Sequence, residues 1–508
     1  MGFFKNFQLN FILRSFKQNP FFTSILTLII LSALFFRIYN FHDRLVFVGD
    51  NSRDAQIGLY AARNQKIPQI GPFAQAPFFF GPFWYWYIEA TYFFPIGLLS
   101  PWFLTSLLSL IFLGLTYYLG YILRGRLLGI ILLALASFSP ALISNFFHIW
   151  NPTAVPLLVL LSLIFFARYY QKRRLEDLFF LGLSFGLATT IHFQTAITLP
   201  ILLAAIWVSR NKIKSLGYLL PALFIPFLPF LLFDLSNHFF WSKSFLIYTL
   251  IDQPSVNFPN RWLTEMFDFW PNIINQILGT PKLVNYLLVI LGTYLLLSKI
   301  KKFKKYRILY LLTISFALEI IILRYYKGPR ESYYMFFAYP QILVLTAIVI
   351  FEIYKLNKLF GVILITTVLA FSTSGSIKQL RDTGVTFSEI KNLQEEIYRS
   401  YPNKKLDIFG CEVNPISLSQ PLALYVYFDG RNSPNANVKI GVCENYDSLH
   451  WQELRENDIK SQKWINRSTQ TVYQQNIQWW KEKPPQKDTQ FWQFMKRKLN
   501  PKCYPLCL

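Results

Sequence analysis

The sequence predicts an all-α polytopic membrane protein with about eleven transmembrane helices, juxtamembrane helices in its first outer loop, and a small extracytoplasmic α/β domain at its C-terminus. Of its 508 residues, 53% are hydrophobic, 18% are aromatic and only 15% are charged. A soluble protein cannot bury so large an apolar fraction. The residues that give a net charge of +23 fall in short clusters between apolar runs, as in cytoplasmic loops, so no nucleic-acid partner is expected.

Twelve apolar runs have a length that suits a membrane span. They lie near residues 21–39, 78–98, 100–121, 127–146, 153–169, 176–192, 193–209, 215–233, 282–298, 307–324, 335–354 and 359–375. The run at 78–98 differs from the others because it is rich in aromatic residues and contains Glu89, two prolines and two glycines. Such a segment suits the membrane interface better than the hydrocarbon core, so eleven runs are expected to cross.

The basic clusters predict the orientation of the chain. They lie in the N-terminal segment, at Arg124 and Arg126, at 172–174, at 210–214, at 299–307, and at Lys355 and Lys358. All of them fall on the cytoplasmic side if 78–98 does not cross. We therefore expect a plasma-membrane protein with a cytoplasmic N-terminus, an uncleaved first span, and a C-terminus outside the cell.

The chain divides into a transmembrane domain at 1–375, with its first outer loop at about 40–99, and a polar domain at 376–508. All the cysteines lie in this second domain: Cys411, Cys443, Cys503 and Cys507. Because the domain is expected outside the cell, these thiols are disulfide candidates, with three pairings open and unpaired thiols as the alternative. A helix at 385–400 and strands at "LDIFGC" and "NVKIGVC" predict a small α/β fold.

Polar side chains collect at the outer ends of the predicted spans and in the outer loops. They are Asp50, Asp54, His148, Asn151, His192, Gln194, Asp234, Arg324, Lys327 and Arg330. The last three are the clearest exception to the inside location of basic residues. Polar groups on one side of a helix bundle usually mark a substrate cavity.

Each of these residues also has a simpler explanation. Asp50 is a favoured N-cap for the helix "SRDAQIGLYAARN", and Asp54 could pair with Arg53 or Arg63 at the surface. A histidine at a span end is usually interfacial, and outer arginines can extend to lipid phosphates. No His-x-x-x-His or Glu-x-x-His pair occurs, so no cofactor is required. A divalent ion between the two aspartates and a lipid phosphate is an unsupported alternative.

Several segments resemble those of the GT-C glycosyltransferases, especially the protein mannosyltransferase and aminoarabinose transferase branch, family 39. "GDNSRDAQIGLYAARNQKIPQIGPFA" is similar to their acidic motif and helix, and "GPFWYWYIEA" to their aromatic helix. "WNPTAVPLLVLLSL", "LATTIHFQTAITLP", "LPFLLFDLSNHFF" and "SYYMFFAYP" are similar to later family segments. The likeness covers roughly residues 20–350. Many relatives have His-Pro-Pro where this chain has "QAPFFFGP", so no role is carried over for that histidine.

The resemblance implies transfer of a sugar from a polyprenyl-phosphate monosaccharide to a hydroxyl of a glycan, lipid or protein acceptor on the outer face. Asp50 matches the family's catalytic acidic position and is the expected base of an inverting displacement, with Asp54 on the same helix face. Cations are expected to stabilise the donor phosphate: Arg53, Arg324, Lys327 and Arg330. The expected cavity lining comprises His148, Asn151, His192, Gln194, Asp234, Tyr85, Tyr333 and Tyr334.

Three other functions stay open from the sequence. A polymerase or ligase of polyprenyl-linked glycans would share the same fold. A transporter or flippase of lipid-linked sugars usually shows internal repeats and polar spans at the membrane midplane, and the sequence shows neither. A membrane anchor for the C-terminal domain would not need so many outer polar residues.

Overall fold

The computed structural model describes residues 20–47, 49–74, 78–252, 261–326, 330–381, 385–411, 418–445, 448–460 and 464–482. Seven helices in this part of the chain are long and apolar enough to cross a membrane, and a further pair of helices, bent by 99°, makes eight if it forms one span. The chain is therefore a multi-pass helical membrane protein. The count of eleven spans stays a prediction.

The first half of the transmembrane domain contains nine helices among its described residues. They are α1 Pro20–Ile38, α2 Phe41–Arg44, α3 Asp50–Asn64, α4 Phe83–Thr91, α5 Ser100–Arg124, α6 Arg126–Ser137, α7 Pro140–Asn145, α8 Val155–Lys172 and α9 Leu175–Ile191. The run at 78–98 contains only α4, whose nine residues reach about 14 Å at 1.5 Å per residue and cannot span a bilayer. Helices α3 and α4 are the juxtamembrane helices of the first outer loop.

The second half continues with ten described helices. They are α10 Leu199–Val208, α11 Lys212–Phe224, α12 Leu228–Ser236, α13 Phe240–Ile247, α14 Arg261–Thr264, α15 Trp270–Leu278, α16 Lys282–Ser298, α17 Phe303–Arg324, α18 Tyr339–Leu356 and α19 Lys358–Arg381. Helices α13, α14 and α15 lie between the runs at 215–233 and 282–298, where no helix was expected. Helices α13 and α14 are short and contain polar residues, so they carry no clear period. Helix α15 does have a helical period, with Trp270, Ile273 and Ile277 buried on one face, and this signal was missed.

Basic residues meet at one end of the bundle. The Lys299 ammonium pairs with Glu352 and lies 4.7 Å from the centre of the Tyr306 ring. The Arg124 guanidinium lies over the same ring, at 4.9 Å. Lys299 and Arg124 belong to two of the basic clusters, so the structure places these clusters at one end of the bundle. The side of the membrane that this end faces stays a prediction.

The C-terminal domain is the small α/β unit that the sequence predicts. Its elements are α20 Phe387–Ser400, β1 Leu406–Cys411, α21 Ser419–Phe428, β2 Val438–Asn445, β3 Ser448–Glu453, α22 Glu456–Lys460, β4 Trp464–Asn466, α23 Thr469–Ile477 and α24 Trp479–Glu482. The sheet order is β3-β2-β1-β4, with β1 and β2 parallel and the two outer pairs antiparallel. A parallel pair needs a crossover, which α21 provides.

A disulfide between Cys411 and Cys443 joins β1 to β2, with the two Cα atoms 5.4 Å apart. The strand register pairs Gly410 with Val442, which brings the two cysteines to adjacent positions. Of the pairings left open by the sequence, the structure contains the one with this bond. Cys503 and Cys507 lie outside the described residues.

Candidate functional site

A cavity of about 360 Å³ lies beside the first turn of α3. Half of its described lining residues are aromatic. The full lining is Asp50, Arg53, Pro72, Phe73, Ala74, Phe78, Phe80, Trp150, Asn151, Pro152, His192, Phe193, Gln194, Ile197, Phe245, Tyr248, Thr249, Tyr326, Tyr333 and Tyr334. The structure therefore brings seven predicted site residues to one cavity: Asp50, Arg53, Asn151, His192, Gln194, Tyr333 and Tyr334.

Three 3-10 turns carry much of this lining. They lie at Asn151–Ala154, Phe193–Thr198 and Ser332–Ala338, and each leads directly into a helix, α8, α10 or α18. Each of these helices has proline in its first turn, where the missing N–H leaves no hydrogen bond unmade. The Asn151 amide also donates to the carbonyl of Ile191, at 2.7 Å, and ties the first turn to the end of α9.

Helix α3, here called the acid helix, begins at the edge of the cavity. Gly49 precedes it with a φ of +61°, a conformation that favours glycine, and this turn lets Asp50 start the helix. The Arg53 amide then donates to the Gly49 carbonyl at 3.2 Å. A carboxylate at this end is stabilised by the partial positive charge of the helix N-terminus.

Arg53 holds both aspartates of the acid helix. Its Nη1 donates to Asp50 Oδ1 at 2.5 Å, while Nε and Nη2 donate to Asp54 Oδ1 at 2.9 and 2.7 Å. The other Asp54 oxygen accepts from Trp84 Nε1 at 2.9 Å. The Asp50 side chain is 55% exposed, whereas that of Asp54 is 0% exposed. Of the two acids, only Asp50 is open to a ligand.

Asp54 lies behind Arg53 and is not among the described residues that line the cavity. Its burial raises its pKa to about 7, although the Arg53 charge and the hydrogen bonds from Arg53 and Trp84 favour the carboxylate. The position of Asp54 fits the orientation of Arg53 rather than contact with a substrate.

Close packing of α4 on the acid helix positions Trp84. A Cβ at Gly58 would lie 2.5 Å from Ile88 Cγ2 and 3.1 Å from the backbone nitrogen of Glu89, so only glycine permits this approach. Tyr85 is buried in the same interface. Against expectation, it is not among the described lining residues.

The two predicted histidines lie at different depths. His192 lines the cavity, and its ring stacks on Phe80 with centroids 5.5 Å apart. His148 lies behind the lining and stacks on Trp150 at 4.8 Å. Burial lowers the pKa of His148 to about 4, so this side chain is neutral near pH 7 and supports Trp150 by packing.

Asp234 was expected to line the cavity, but it is not among the described lining residues. Its carboxylate accepts from the backbone nitrogens of Trp241 and Ser242, at 2.8 and 3.0 Å, and from the Ser242 hydroxyl. It therefore stabilises the start of α13. Trp241 in turn donates to the Phe79 carbonyl at 2.8 Å, beside the cavity.

The outer cations form a separate cluster. Arg330 pairs with Glu265 at 2.5 Å, and these side chains are only 6% and 1% exposed. The Arg324 guanidinium lies over the Trp262 ring, 5.1 Å from its centre. Neither arginine is among the described lining residues, and Lys327 lies outside the described part of the chain.

Sequence reasoning missed several residues of this region. Trp150 and Tyr326 line the cavity, and each adjoins a residue that was singled out, Asn151 or Lys327. That adjacency was a usable signal. Tyr248 and Glu265 lie in π-helical turns between α13 and α15, a part of the sequence with no periodic pattern.

The arrangement does not suit a metal between the two aspartates. Arg53 already bonds to both carboxylates, so a guanidinium stands where a divalent ion would bind. Among the described residues, no group of three His, Cys, Asp or Glu side chains has the proximity to hold a metal ion.

No protein-family model matches the sequence, and no curated protein matches it. Solved structures do. ArnT from Cupriavidus metallidurans in the apo state has a TM-score of 0.55 at 11% identity, over 83% of this chain and 93% of ArnT. The same protein bound to undecaprenyl phosphate has a TM-score of 0.51 at 11% identity, with the same coverage.

The apo oligosaccharyltransferase of Archaeoglobus fulgidus has a TM-score of 0.48 at 12% identity, over 77% of this chain. This chain spans only 59% of the oligosaccharyltransferase. At these low identities the likeness shows the fold alone, and the comparison rests on ArnT, whose TM-scores are above 0.5. The chain has the fold of ArnT, in agreement with the fold that the sequence resemblance implied.

Proposed function

We propose that this chain is a membrane glycosyltransferase that transfers one sugar from a polyprenyl-phosphate donor to an acceptor hydroxyl on the extracytoplasmic side. The observation that carries the proposal is the pairing of exposed Asp50 with Arg53 at a cavity of about 360 Å³. The fold of ArnT, which has been solved bound to undecaprenyl phosphate, supports the class of donor.

The lining of the cavity suits a small sugar. Sites for small molecules measure about 300–1,000 Å³, and this one is near the lower limit, which favours a monosaccharide over an oligosaccharide. Aromatic rings offer stacking surfaces for the apolar face of a sugar. Gln194 Oε1 is buried with no hydrogen-bond partner in the described structure, and a sugar hydroxyl would satisfy it.

Asp50 is the proposed base. The acceptor oxygen attacks the anomeric carbon opposite the phosphate, the anomeric C–O bond breaks, and the phosphate leaves with the electron pair. The hydroxyl proton passes to the Asp50 carboxylate. Because the acceptor attacks from the side opposite the phosphate in a single displacement, the reaction inverts the anomeric configuration. A lipid phosphate is a weak base and leaves without a proton, so no general acid is needed.

Arg53 is the proposed partner of the leaving phosphate. Asp54 keeps Arg53 Nε and Nη2, so a phosphate can replace Asp50 at Nη1 without releasing the guanidinium. This exchange frees the Asp50 carboxylate when the donor arrives. A charge-assisted bond to Arg53 then stabilises the negative charge of the phosphate. We do not extend this role to Arg330, which is engaged by Glu265.

The test uses the purified protein in liposomes with a panel of polyprenyl-phosphate sugars and hydroxyl acceptors. Release of polyprenyl phosphate with at least one donor is expected, with loss of release in Asp50→Asn. Asp43→Asn is the matched control, because this acid of the same outer loop contacts Ser388 and does not line the cavity.

Four outcomes would contradict the proposal. If no donor is turned over, the proposed donor class is wrong. If the Asp50→Asn variant is as active as the natural protein, Asp50 is not the base. Movement of intact lipid-linked sugar across the bilayer would indicate a transporter. Release of polyprenyl diphosphate from a glycan donor would indicate a ligase or polymerase.

A further inference from the structure

We propose that the C-terminal domain is part of the catalytic machinery, because it holds the acid helix and the edge of the cavity in place. Arg63 and Gln56 are the positioning residues that make this connection. The inference rests on the proposed function only where transfer serves as the assay, since the rigidity of the acid helix can be measured without it.

Arg63 joins the far end of the acid helix to α21. Its Nη1 and Nη2 donate to the carbonyls of Tyr427 and Phe428, at 2.5 and 2.6 Å. These are the last residues of α21, whose final carbonyls have no partner within their own helix and carry partial negative charge. The Tyr427 carbonyl also accepts from the Gly430 amide at 2.9 Å. Arg63 thus adds a second donor at Tyr427, a donor at Phe428 and a positive charge at the end of a helix of the other domain.

Gln56 joins the middle of the acid helix to the segment after β4. Its amide nitrogen donates to the Arg467 carbonyl at 3.0 Å and to the Thr469 hydroxyl at 3.2 Å. Tyr60, one turn further along, packs on Tyr473 with ring centroids 4.5 Å apart. Residues 56, 60 and 63 share one helix face, so the domain contacts the acid helix along its length.

The last described helix, α24, contacts the edge of the cavity itself. The Trp479 ring lies 6.2 Å from that of Phe73 and 5.8 Å from that of Phe240. Phe73 lines the cavity, and the Arg53 guanidinium lies 5.8 Å from the centre of its ring. The domain therefore supports Arg53 from two directions, through the acid helix and through Phe73.

These contacts predict an effect on catalysis. Arg63 is ten residues from Arg53, about 15 Å along a rigid helix, so a shift at one end moves the other. A misplacement of about 1 Å at reacting groups can lower a rate about 100-fold. Loss of the connection should lower kcat more than it weakens donor binding, because Asp54 and Trp84 still hold Arg53 locally.

The experiment compares Arg63→Ala and Arg63→Lys with the control Gln69→Ala, all in the full chain in liposomes. Gln69 is exposed and lies five residues after the end of the acid helix. Arg63→Ala is expected to lower kcat at least 10-fold and change donor KM less than threefold. Arg63→Lys should be intermediate because it keeps the positive charge but has one donor nitrogen in place of two, and the control should match the natural protein.

Hydrogen–deuterium exchange of residues 50–64 gives the independent readout. Exchange should rise at least fivefold in Arg63→Ala and in Gln56→Leu, and stay unchanged in Gln69→Ala and Gln475→Leu. Gln475 is an exposed residue of α23. If a variant fails to fold, the other supplies the measurement.

Two results would overturn the inference. One is unchanged exchange of residues 50–64 in both test variants. The other is a folded Arg63→Ala protein whose kcat stays within twofold of the natural value. If the natural protein transfers no sugar, the proposed function fails, and the exchange measurement alone decides the positioning role.

Discussion

Two arginine–carboxylate pairs with the same 2.5 Å contact differ in their surroundings. Arg53 pairs with the exposed Asp50 at the cavity, whereas Arg330 pairs with Glu265 away from the cavity, where both side chains are buried. An exposed pair contributes only about 0.2–1 kcal/mol and separates easily. Breaking a buried pair by removing one partner costs about 3–5 kcal/mol. Burial, rather than the charges themselves, distinguishes a pair suited to exchange with a ligand from one that stabilises a fold.

The largest expected effect is on turnover at the exposed pair. Asp50→Asn should lower kcat about 100-fold to 10,000-fold, the usual contribution of a general base. The amide retains the size of the side chain, so the melting temperature should change little. Transfer kinetics with a single purified donor measure the first effect, and thermal unfolding measures the second. Normal turnover in this variant would exclude Asp50 as the base.

The buried pair should give the opposite pattern. Glu265→Gln leaves the Arg330 charge without its carboxylate and should destabilise the protein by about 3–5 kcal/mol. Denaturant unfolding in detergent measures this loss. Asp268→Asn is the matched control, since Asp268 pairs with Lys282 on the surface, and its stability should stay close to that of the natural protein. Equal stability of both variants would contradict the comparison.

A smaller effect concerns pH and the acid behind Arg53. Burial raises the pKa of Asp54 to about 7, so this carboxyl gains a proton as the pH falls through that value. Its protonated form attracts Arg53 less, and kcat should fall up to about tenfold per pH unit below about 7. Asp54→Asn should be slower at high pH and should lack this fall. An identical pH profile in both proteins would refute the link.

The smallest effect is expected at Arg324. Its guanidinium lies over Trp262 and does not line the described cavity, so Arg324→Gln should change donor KM less than threefold. Arg53→Gln is the comparison and should raise donor KM at least 10-fold, because its cation faces the cavity. Titration of the donor against both variants measures the difference. A rise in donor KM for Arg324→Gln that exceeds the rise for Arg53→Gln would indicate that the outer arginines bind the donor phosphate.

The sequence predicts the fold well because membrane spans follow simple physical rules. Long apolar runs mark the helices, and the aromatic character of 78–98 marks the short α4. The convergence of Asp50, Asn151 and Tyr333 also follows, since the ends of spans on one side of a bundle lie near one another. The likeness of several short motifs to those of a known glycosyltransferase family predicted the type of helical fold.

The burial and partners of individual side chains do not follow from the sequence. Asp54 and Asp50 share a helix face, yet Asp54 is buried by Arg53 and Trp84 while Asp50 stays exposed at the start of the helix. Arg330 was expected to bind the donor phosphate because it is a basic residue on the predicted outer side. Its partner, Glu265, lies 65 residues earlier in the chain and could not be paired with it from the sequence. Such a pairing depends on tertiary contacts that spacing does not record.

The central claim is that Asp50 faces a donor at the outer side of the membrane. Cysteine labelling tests it directly: Asp50→Cys, with Ser at positions 503 and 507, is treated in intact cells with a membrane-impermeant maleimide. Lys301→Cys is the control from the basic end. We expect residue 50 to react in intact cells and to be protected by polyprenyl phosphate, and residue 301 to react only after permeabilisation. Reaction of residue 50 only after permeabilisation would contradict the account.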